Sequence, residues 1–277
     1  MATPSGTVAV VTGASRGVGR GIALALGEAG ATVYLTGRSR IGNTTEYLPG
    51  TVEESAEAVT ARGGRGISVH CDHTVDAEVE ALFGRIQVES GRLDVLVNNV
   101  WGGYEQHEGQ RFVAPFWEQP LRHWEGMFTA GVRAHLVASR LAVPLMLPAG
   151  RGLIVHTTAW DRDKYLGNVF YDVAKAAVNR MACGMARELR PHGIAVVSLA
   201  PGFVRTERVE AAFAAAGRSL PENLESSEYI GRAIVALASD GNRLAWSGRT
   251  LTVGALAHEY GFTDIDGRQL PPFHIEP

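Results

Sequence analysis

An open, doubly wound α/β sheet is the fold class this sequence predicts, on three observations. Short β-branched runs alternate with longer amphipathic segments along the 277 residues, the pattern of successive βαβ units and a parallel sheet. Most strand runs are continuously apolar instead of alternating, which suits strands covered on both faces. The glycines sit mostly at element ends, with no internal repeat and no low-complexity linker. Residues 1–277 therefore read as one domain, long enough to bury a large core.

In chain order, strands are expected at Thr7–Thr12, Thr32–Thr36, Gly66–Cys71, Leu93–Val97, Gly152–Thr157, Ala195–Leu199 and Thr250–Val253. Helical patterns lie between them at about 17–30, 52–63, 75–90, 120–147, 168–191 and 226–239. Right-handed crossovers then put helices on both faces of a seven-stranded sheet. Two stretches break the rhythm. Residues 101–119 are rich in aromatics (Trp101, Tyr104, Phe112, Phe116, Trp117), and residues 203–225 follow a Pro-Gly turn. Both leave strands at the carboxyl end of the sheet, where open α/β folds bind ligands, and are expected to wall a substrate site. Simple packing of the loop onto the core is the alternative for the aromatics.

Apolar residues make up 45% of the chain and charged residues 20%, ordinary globular usage that excludes wholesale disorder. A net charge of −3 sets aside a generally basic, nucleic-acid-binding surface but leaves room for a local basic pocket. Cys71 and Cys183 are the only cysteines, which disfavours a disulfide-stapled secreted fold and favours a reducing compartment. The lead-in Met1–Gly6 enters a strand-like run directly. No leader pattern and no apolar stretch of ~20 residues that would span a bilayer is expected. The expectation is a cytoplasmic protein with neither a membrane span nor a nucleic-acid partner.

Strand one runs into Thr12-Gly13-Ala14-Ser15-Arg16-Gly17-Val18-Gly19 and then a helix. Glycine permits the tight turn and a close approach of backbone to phosphate. The helix N-terminus adds free N–H groups and partial positive charge. In this context the cluster predicts a dinucleotide pyrophosphate site formed by Gly13, Ser15, Arg16, Gly17, Val18 and Gly19. The end of the second strand selects the dinucleotide, because a carboxylate there would hold a ribose 2′-hydroxyl. The chain instead reads Thr36-Gly37-Arg38-Ser39-Arg40. Arg38, with Arg16 from the turn, suits a 2′-phosphate, since charge-assisted bonds contribute about 1.5–3 kcal/mol each. NADP(H) is expected over NAD(H), the alternative being that the arginines are merely solvated.

Tyr171 and Lys175 lie at i and i+4 on the helix that begins near Asn168, so both project from one face. A tyrosine titrates near ~10, and a neighbouring ammonium is expected to lower that value. Tyr171 is then placed to pass a proton to or from a carbonyl oxygen. Thr158, thirteen residues upstream at the end of the fifth strand, offers a hydroxyl that would orient the same oxygen.

Taken together, these residues resemble the short-chain dehydrogenase/reductase family over nearly the whole chain. The resemblance is carried by Thr12–Gly19, Asp72 after the third strand, Asn98-Asn99 after the fourth, Tyr171-x-x-x-Lys175, and Pro201-Gly202-Phe203-Val204-Arg205-Thr206. Within the family, Val11–Ala25, Ala31–Arg38, Arg92–Asn99 and the ending Tyr260–Arg268 are similar to a subgroup called dehydrogenase/reductase member 1. The resemblance implies a single-domain Rossmann fold, with a cofactor half of about 1–150 and a catalytic and substrate half of about 151–277. It implies that Asp72 meets the adenine and that Asn98 supports the adenosine side and the central strands. Tyr171 would be the acid–base, and Lys175 would also hold the nicotinamide ribose hydroxyls. Pro201, Gly202, Val204 and Thr206 would line the cofactor, Thr206 near the nicotinamide amide. Packing through the long fourth and fifth helices would make a homodimer or homotetramer.

Two departures from the family pattern stand out. Thr158 replaces the usual serine, keeping the hydroxyl but adding a methyl and a stiffer χ1. Gly131, within Met127–Leu136, stands where the family usually has an asparagine that holds a water behind the lysine. The member-1 subgroup resembles this chain in carrying a glycine there.

Rival chemistries are poorly supported. His70-Cys71-Asp72-His73 has no further ligand set for a closed metal site, so no metal is expected. No Gly-x-Ser-x-Gly elbow is present for a serine hydrolase. The sequence therefore predicts an NADP(H)-dependent carbonyl reductase or alcohol dehydrogenase acting on a small molecule. The alternative, motivated by Thr158 and Gly131, is an NADP(H)-binding sensor or scaffold with little turnover. The aromatics of 101–117 and the small residues of 209–217 point to a broad apolar pocket for a bulky ketone, aldehyde or steroid-like carbonyl.

Overall fold

The apolar runs form one sheet. The computed structural model describes residues 6–105, 112, 114–160 and 164–274. Most of the lead-in, Met1–Ser5, and residues 106–111 and 113 of the aromatic stretch lie outside the described residues. The strands are β1 (Val8–Thr12), β2 (Thr32–Gly37), β3 (Arg65–His70), β4 (Val95–Asn98), β5 (Gly152–Thr157), β6 (Ile194–Ala200) and β7 (Thr250–Thr252). They lie in the order β3-β2-β1-β4-β5-β6-β7, and every neighbouring pair is parallel. All seven expected strands are present, with no end moved by more than two residues.

Burial on both faces explains the continuous apolar runs. Every residue of β1, β4, β5 and β6 is buried, whereas the edge strand β3 is partly exposed. Val11, Val97, Val155 and Val197 point into one core. Their chain neighbours Val10, Leu96, Ile154 and Val196 point into the other, as the two-residue strand period requires.

Six expected helices are found as α1 (Gly17–Glu28), α2 (Val52–Ala61), α3 (Asp76–Ser90), the composite α4 (Leu121–Phe128) and α5 (Ala134–Met146), α6 (Val169–Leu189), and α8 (Ser227–Ser239). Side-chain caps start several of them: Thr51 with Glu54 on α2, Asn168 on α6 and Ser226 on α8. One π turn, Thr129–Arg133, joins α4 to α5. By length and composition alone the stretch from Leu121 to Ala149 is apolar enough to cross a membrane, a test that a core helix also passes. Half of its most apolar part is buried within the fold, where α5 packs on α3 and the central strands.

Two helices were not expected. α7 (Glu207–Ala215) forms inside the stretch read as irregular. Thr206 caps it and Glu207 and Glu210 occupy its first turn, but none of its residues is fully buried. A helix with no buried stripe carries little hydrophobic periodicity. α9 (Val253–Tyr260) starts where β7 stops, leaving no turn signal between them.

The strand order reverses between β1 and β4. At this switch point the carboxyl ends of the strands open onto a cleft of about 990 Å³.

Candidate active site

The glycine turn is built by backbone. Gly13 and Gly17 have φ of 66° and 55°, a region that glycine enters without steric cost. A Cβ at Gly19 would stand 2.2 Å from the carbonyl oxygen of Gly13 and 2.5 Å from Asn99 Nδ2. Asn99 Nδ2 donates to the carbonyls of Thr12 and Gly13, each at 3.0 Å. The backbone N–H of Asn99 donates to Thr12 Oγ1 at 2.9 Å. Gly13, Ser15, Arg16, Gly17 and Val18 face the cleft, with Gly19 buried beneath them.

The α1 N-terminus holds an anion from the chain itself. Gly17 N–H donates to Glu207 Oε2 at 2.8 Å. The turn therefore accepts an anionic oxygen where the pyrophosphate of a dinucleotide is expected. The donors present fit the cofactor that the motif implies.

At the end of β2 the two predicted arginines take different roles. Arg38 pairs with Glu105 and lies 3.9 Å from Asp72, so all three groups meet on the cleft wall. Asp72 is fixed by Thr74, whose N–H and hydroxyl donate to Oδ1 at 2.9 and 2.7 Å. Arg16 turns into the segment 39–50, donating to Ser39 Oγ at 2.6 Å, Thr45 Oγ1 at 3.0 Å and Pro49 O at 2.9 Å. The expected guanidinium pair is thus split. Arg16 braces the loop beside the cleft, and Arg38 presents its charge to it.

Asn98 meets the structural half of its expectation and not the adenosine half. It is fully buried, and its Nδ2 donates to Ser139 Oγ at 2.9 Å and faces His156 Nδ1 at 3.3 Å. It supports the central strands, while Asn99 is the member of the pair that reaches the glycine turn. Thr36 and His73 form a buried pair at 2.6 Å, and burial takes the His73 imidazole down to about 4. Among the described residues no group of three or more His, Cys, Asp or Glu side chains is disposed to hold a metal.

Across the cleft stand Thr158, Tyr171 and Lys175. The Asn168 cap fixes the first turn of α6, its Oδ1 accepting from Tyr171 N–H at 3.0 Å. Thr158 is held at the end of β5 by its N–H to Leu199 O, 3.0 Å, and its buried side chain lines the cleft. Lys175 Nζ lies 5.5 Å from the Tyr171 ring centre and 3.9 Å from that of Trp101. Burial pushes the Lys175 ammonium down to about 7.

The expected lowering of the Tyr171 pKa is reversed. Burial, with Tyr104 close by, holds the phenol well above its ordinary value. Desolvation disfavours the phenolate, and the neighbouring Tyr104 phenol adds to the effect. Tyr171 is a held phenol, suited to giving up its proton as charge develops on an acceptor.

Pro201, Gly202, Val204 and Thr206 also reach the cleft. Thr206 Oγ1 accepts from Val209 N–H at 3.3 Å and so starts α7. Buried Glu225 lies behind Gly202, and desolvation raises its carboxyl to about 7.

Several contacts of the expected wall residues were missed from sequence. Tyr104 is hydrogen-bonded to Tyr171, and its ring packs against Trp101, 6.1 Å between centres. Arg208 of α7 pairs with Glu46 and lies over the Tyr104 ring. Phe112 packs edge-on to Tyr171. The aromatic richness of 101–119 and the irregular stretch 203–225 named the two regions without the partners.

Known proteins share this chain's sequence and fold. The short chain dehydrogenase family profile matches residues 7–216. Dehydrogenase/reductase SDR family member 1 of Homo sapiens is 41% identical over 285 aligned positions, covering 99% of this chain and 88% of the relative. A short chain dehydrogenase from Mycobacterium thermoresistibile superposes with a TM-score of 0.81 at 25% identity, covering 97% of this chain and 94% of that one. A metagenomic short-chain oxidoreductase solved in complex with NADP gives 0.70 at 27% identity, over 90% and 96% of the two chains.

Proposed function

Within the short-chain dehydrogenase/reductase family, to which this chain belongs, we propose that it is an NADP(H)-dependent oxidoreductase interconverting a carbonyl compound and an alcohol. The observation that carries this is the shared cleft, with Thr158, Tyr171 and Lys175 on one wall and the glycine turn on another.

A bound nicotinamide dinucleotide would supply or accept the hydride at the substrate carbon. Gly13, Ser15, Gly17 and Val18 would hold its pyrophosphate, taking over the N–H that Glu207 now occupies. Asp72 would meet the adenine. Arg38 would take a 2′-phosphate in exchange for Glu105, and Arg16 would keep the neighbouring loop in shape. Pro201, Gly202, Val204 and Thr206 would border the nicotinamide end. The absence of a carboxylate at the end of β2 and the NADP-bound neighbour both support NADP(H) over NAD(H).

In the reducing direction Tyr171 donates its proton to the carbonyl oxygen as that atom gains charge. Thr158 donates a hydrogen bond that orients the same oxygen. Lys175, at about 7, is charged in part of the population near neutrality and stabilises the phenolate that remains. Reversal of these proton movements serves alcohol oxidation. The surrounding aromatics, Trp101, Tyr104, Phe112 and Phe213, favour a bulky apolar carbonyl compound.

We also place the protein in the cytoplasm, in keeping with its free cysteines, as a homodimer or homotetramer. Exposed Leu136 on α5 and Val173 on α6 support packing through those helices.

The test is a carbonyl panel (ketones, aldehydes and quinones) with NADPH and NADH, read as kcat and KM for each cofactor. Turnover with a lower KM for NADPH is expected. An NADH preference overturns the cofactor assignment. NADPH binding without turnover on any compound would mark a nucleotide-binding sensor or scaffold.

A further inference from the structure

A slot beside Lys175 is shaped by two glycines and filled by one indole. A Cβ on Gly131 would stand 2.4 Å from both Cε3 and Cζ3 of Trp101. A Cβ on Gly103 would stand 2.4 Å from Cζ2 of the same ring. Such distances leave no space for a side chain at either position unless the ring moves. Gly131 lies in the π turn between α4 and α5, a local irregularity of a kind frequent at functional sites.

The ring face meets Lys175, whose Nζ is 3.9 Å from its centre. Tyr171 packs edge-on against the same ring, at 5.3 Å and 85°. Trp101 Nε1 is buried with no hydrogen-bond partner among the described residues, so shape holds the indole in place. The ring face carries the negative end of its quadrupole and attracts an ammonium, most strongly where water is excluded.

Resting on the oxidoreductase reading above, we propose that Trp101 is the positioning residue of Lys175: its indole face, seated against Gly131 and Gly103, holds the ammonium beside Tyr171 where the family pattern would place an asparagine.

Among the described residues, the other titratable groups around the lysine bring no countercharge. Tyr171 shares its helix, and Tyr104 joins Tyr171 from the β4 loop. His135 approaches from α5, and its ring is stacked on that of His156 from β5. Burial keeps both phenols protonated and both imidazoles neutral. Among the described residues, the indole face at 3.9 Å, with the more distant Tyr171 ring at 5.5 Å, is therefore the contact that favours the charged lysine.

The composition offers a direct probe. Lys164 and Lys175 are the only lysines among the 26 basic residues, so the full-length protein labelled with [ε-13C]lysine gives two ε-methylene signals. In the wild type, Lys175 is expected upfield of exposed Lys164 through the indole ring current, with a midpoint near 7 in a pH titration. Trp101→Leu keeps apolar bulk but removes the π face. It should abolish the upfield displacement, lower the midpoint by about one to one and a half pH units and reduce kcat by about 10- to 30-fold. Trp101→Phe should restore most of all three. Gly131→Ala should displace the indole and reproduce Trp101→Leu.

A wild-type Lys175 signal without the ring-current displacement overturns the proposal, whatever the variants do. So does a Trp101→Leu protein with the wild-type midpoint and kcat, or a Trp101→Phe protein no better than Trp101→Leu. Turnover is measured with NADPH and 9,10-phenanthrenequinone. If wild type turns over neither this quinone nor any panel compound, the reductase reading fails, while the two lysine signals still judge the contact itself.

Discussion

The cofactor end of the cleft and the catalytic end treat buried polarity in opposite ways. Around the glycine turn the polar groups are paired: Asn99 with the carbonyls of Thr12 and Gly13, Thr12 Oγ1 with Asn99 N–H, and Gly17 N–H with Glu207. Around Tyr171 they are buried with few partners. Lys175 faces a ring, while Trp101 Nε1, His135 Nδ1 and His156 Nε2 have no hydrogen-bond partner among the described residues. A paired site holds its shape, and an under-paired one holds protonation states away from their usual values. Binding suits the first and proton transfer the second.

The largest test of that contrast is Tyr171→Phe. Removing the proposed proton donor should lower kcat by about 10³-fold, within the range for a positioned acid–base, and leave NADPH affinity nearly unchanged. Steady-state kinetics and calorimetric titration check it. Comparable losses in both would mean that the two ends are not separable.

Glu225, buried behind Gly202, tests whether burial alone holds a protonation state away from its usual value. Its folded-state value of about 7 lies above the ordinary 4.5, so the fold favours the protonated carboxyl. That stabilisation is complete below about pH 4.5 and is lost as the pH rises through 7. Glu225→Gln should therefore gain about 3 kcal/mol over wild type at pH 8 and little at pH 4.5. Urea unfolding at the two pH values reads the difference, and equal gains at both would discount the titration.

Gly19→Ala tests the cofactor side. Its Cβ would meet backbone at 2.2 Å, and overpacking of this kind costs about 1–3 kcal/mol. NADPH affinity should fall by about 30- to 100-fold. Gly84→Ala, with nothing within 4 Å, serves as the control and should leave affinity unchanged.

The smallest effect is expected from Glu207→Gln. Removing the carboxylate that occupies the α1 N-terminus should tighten NADPH binding by about threefold, the scale of a charge at an exposed helix end. Weaker binding would show that Glu207 orders the turn more than it competes there.

How much of this was legible varies with the distance over which a residue acts. The seven strands followed from local apolar runs, and the turn at 12–19 from glycine spacing between a strand and a helix. α7 escaped because none of its residues is fully buried. Of the two roles expected of Asn98, the fold serves support of the central strands and not the adenosine side, because neighbouring residues at a strand end face opposite ways. Asn99 reaches the turn, and Asn98 reaches Ser139.

By itself the sequence determined the sheet, the glycine turn, the Tyr171–Lys175 pair on one helix face and the missing side chain at 131. These depend on spacing within a single element, which the backbone periods enforce. Only the tertiary structure decided that Arg16 braces a loop while Arg38 faces the cleft, and that burial raises the Tyr171 pKa. It also decided that Trp101 fills the space beside Gly131. Each of these depends on which distant side chains meet and on how completely water is excluded. Desolvation and close packing belong to the assembled fold, and no local spacing encodes them.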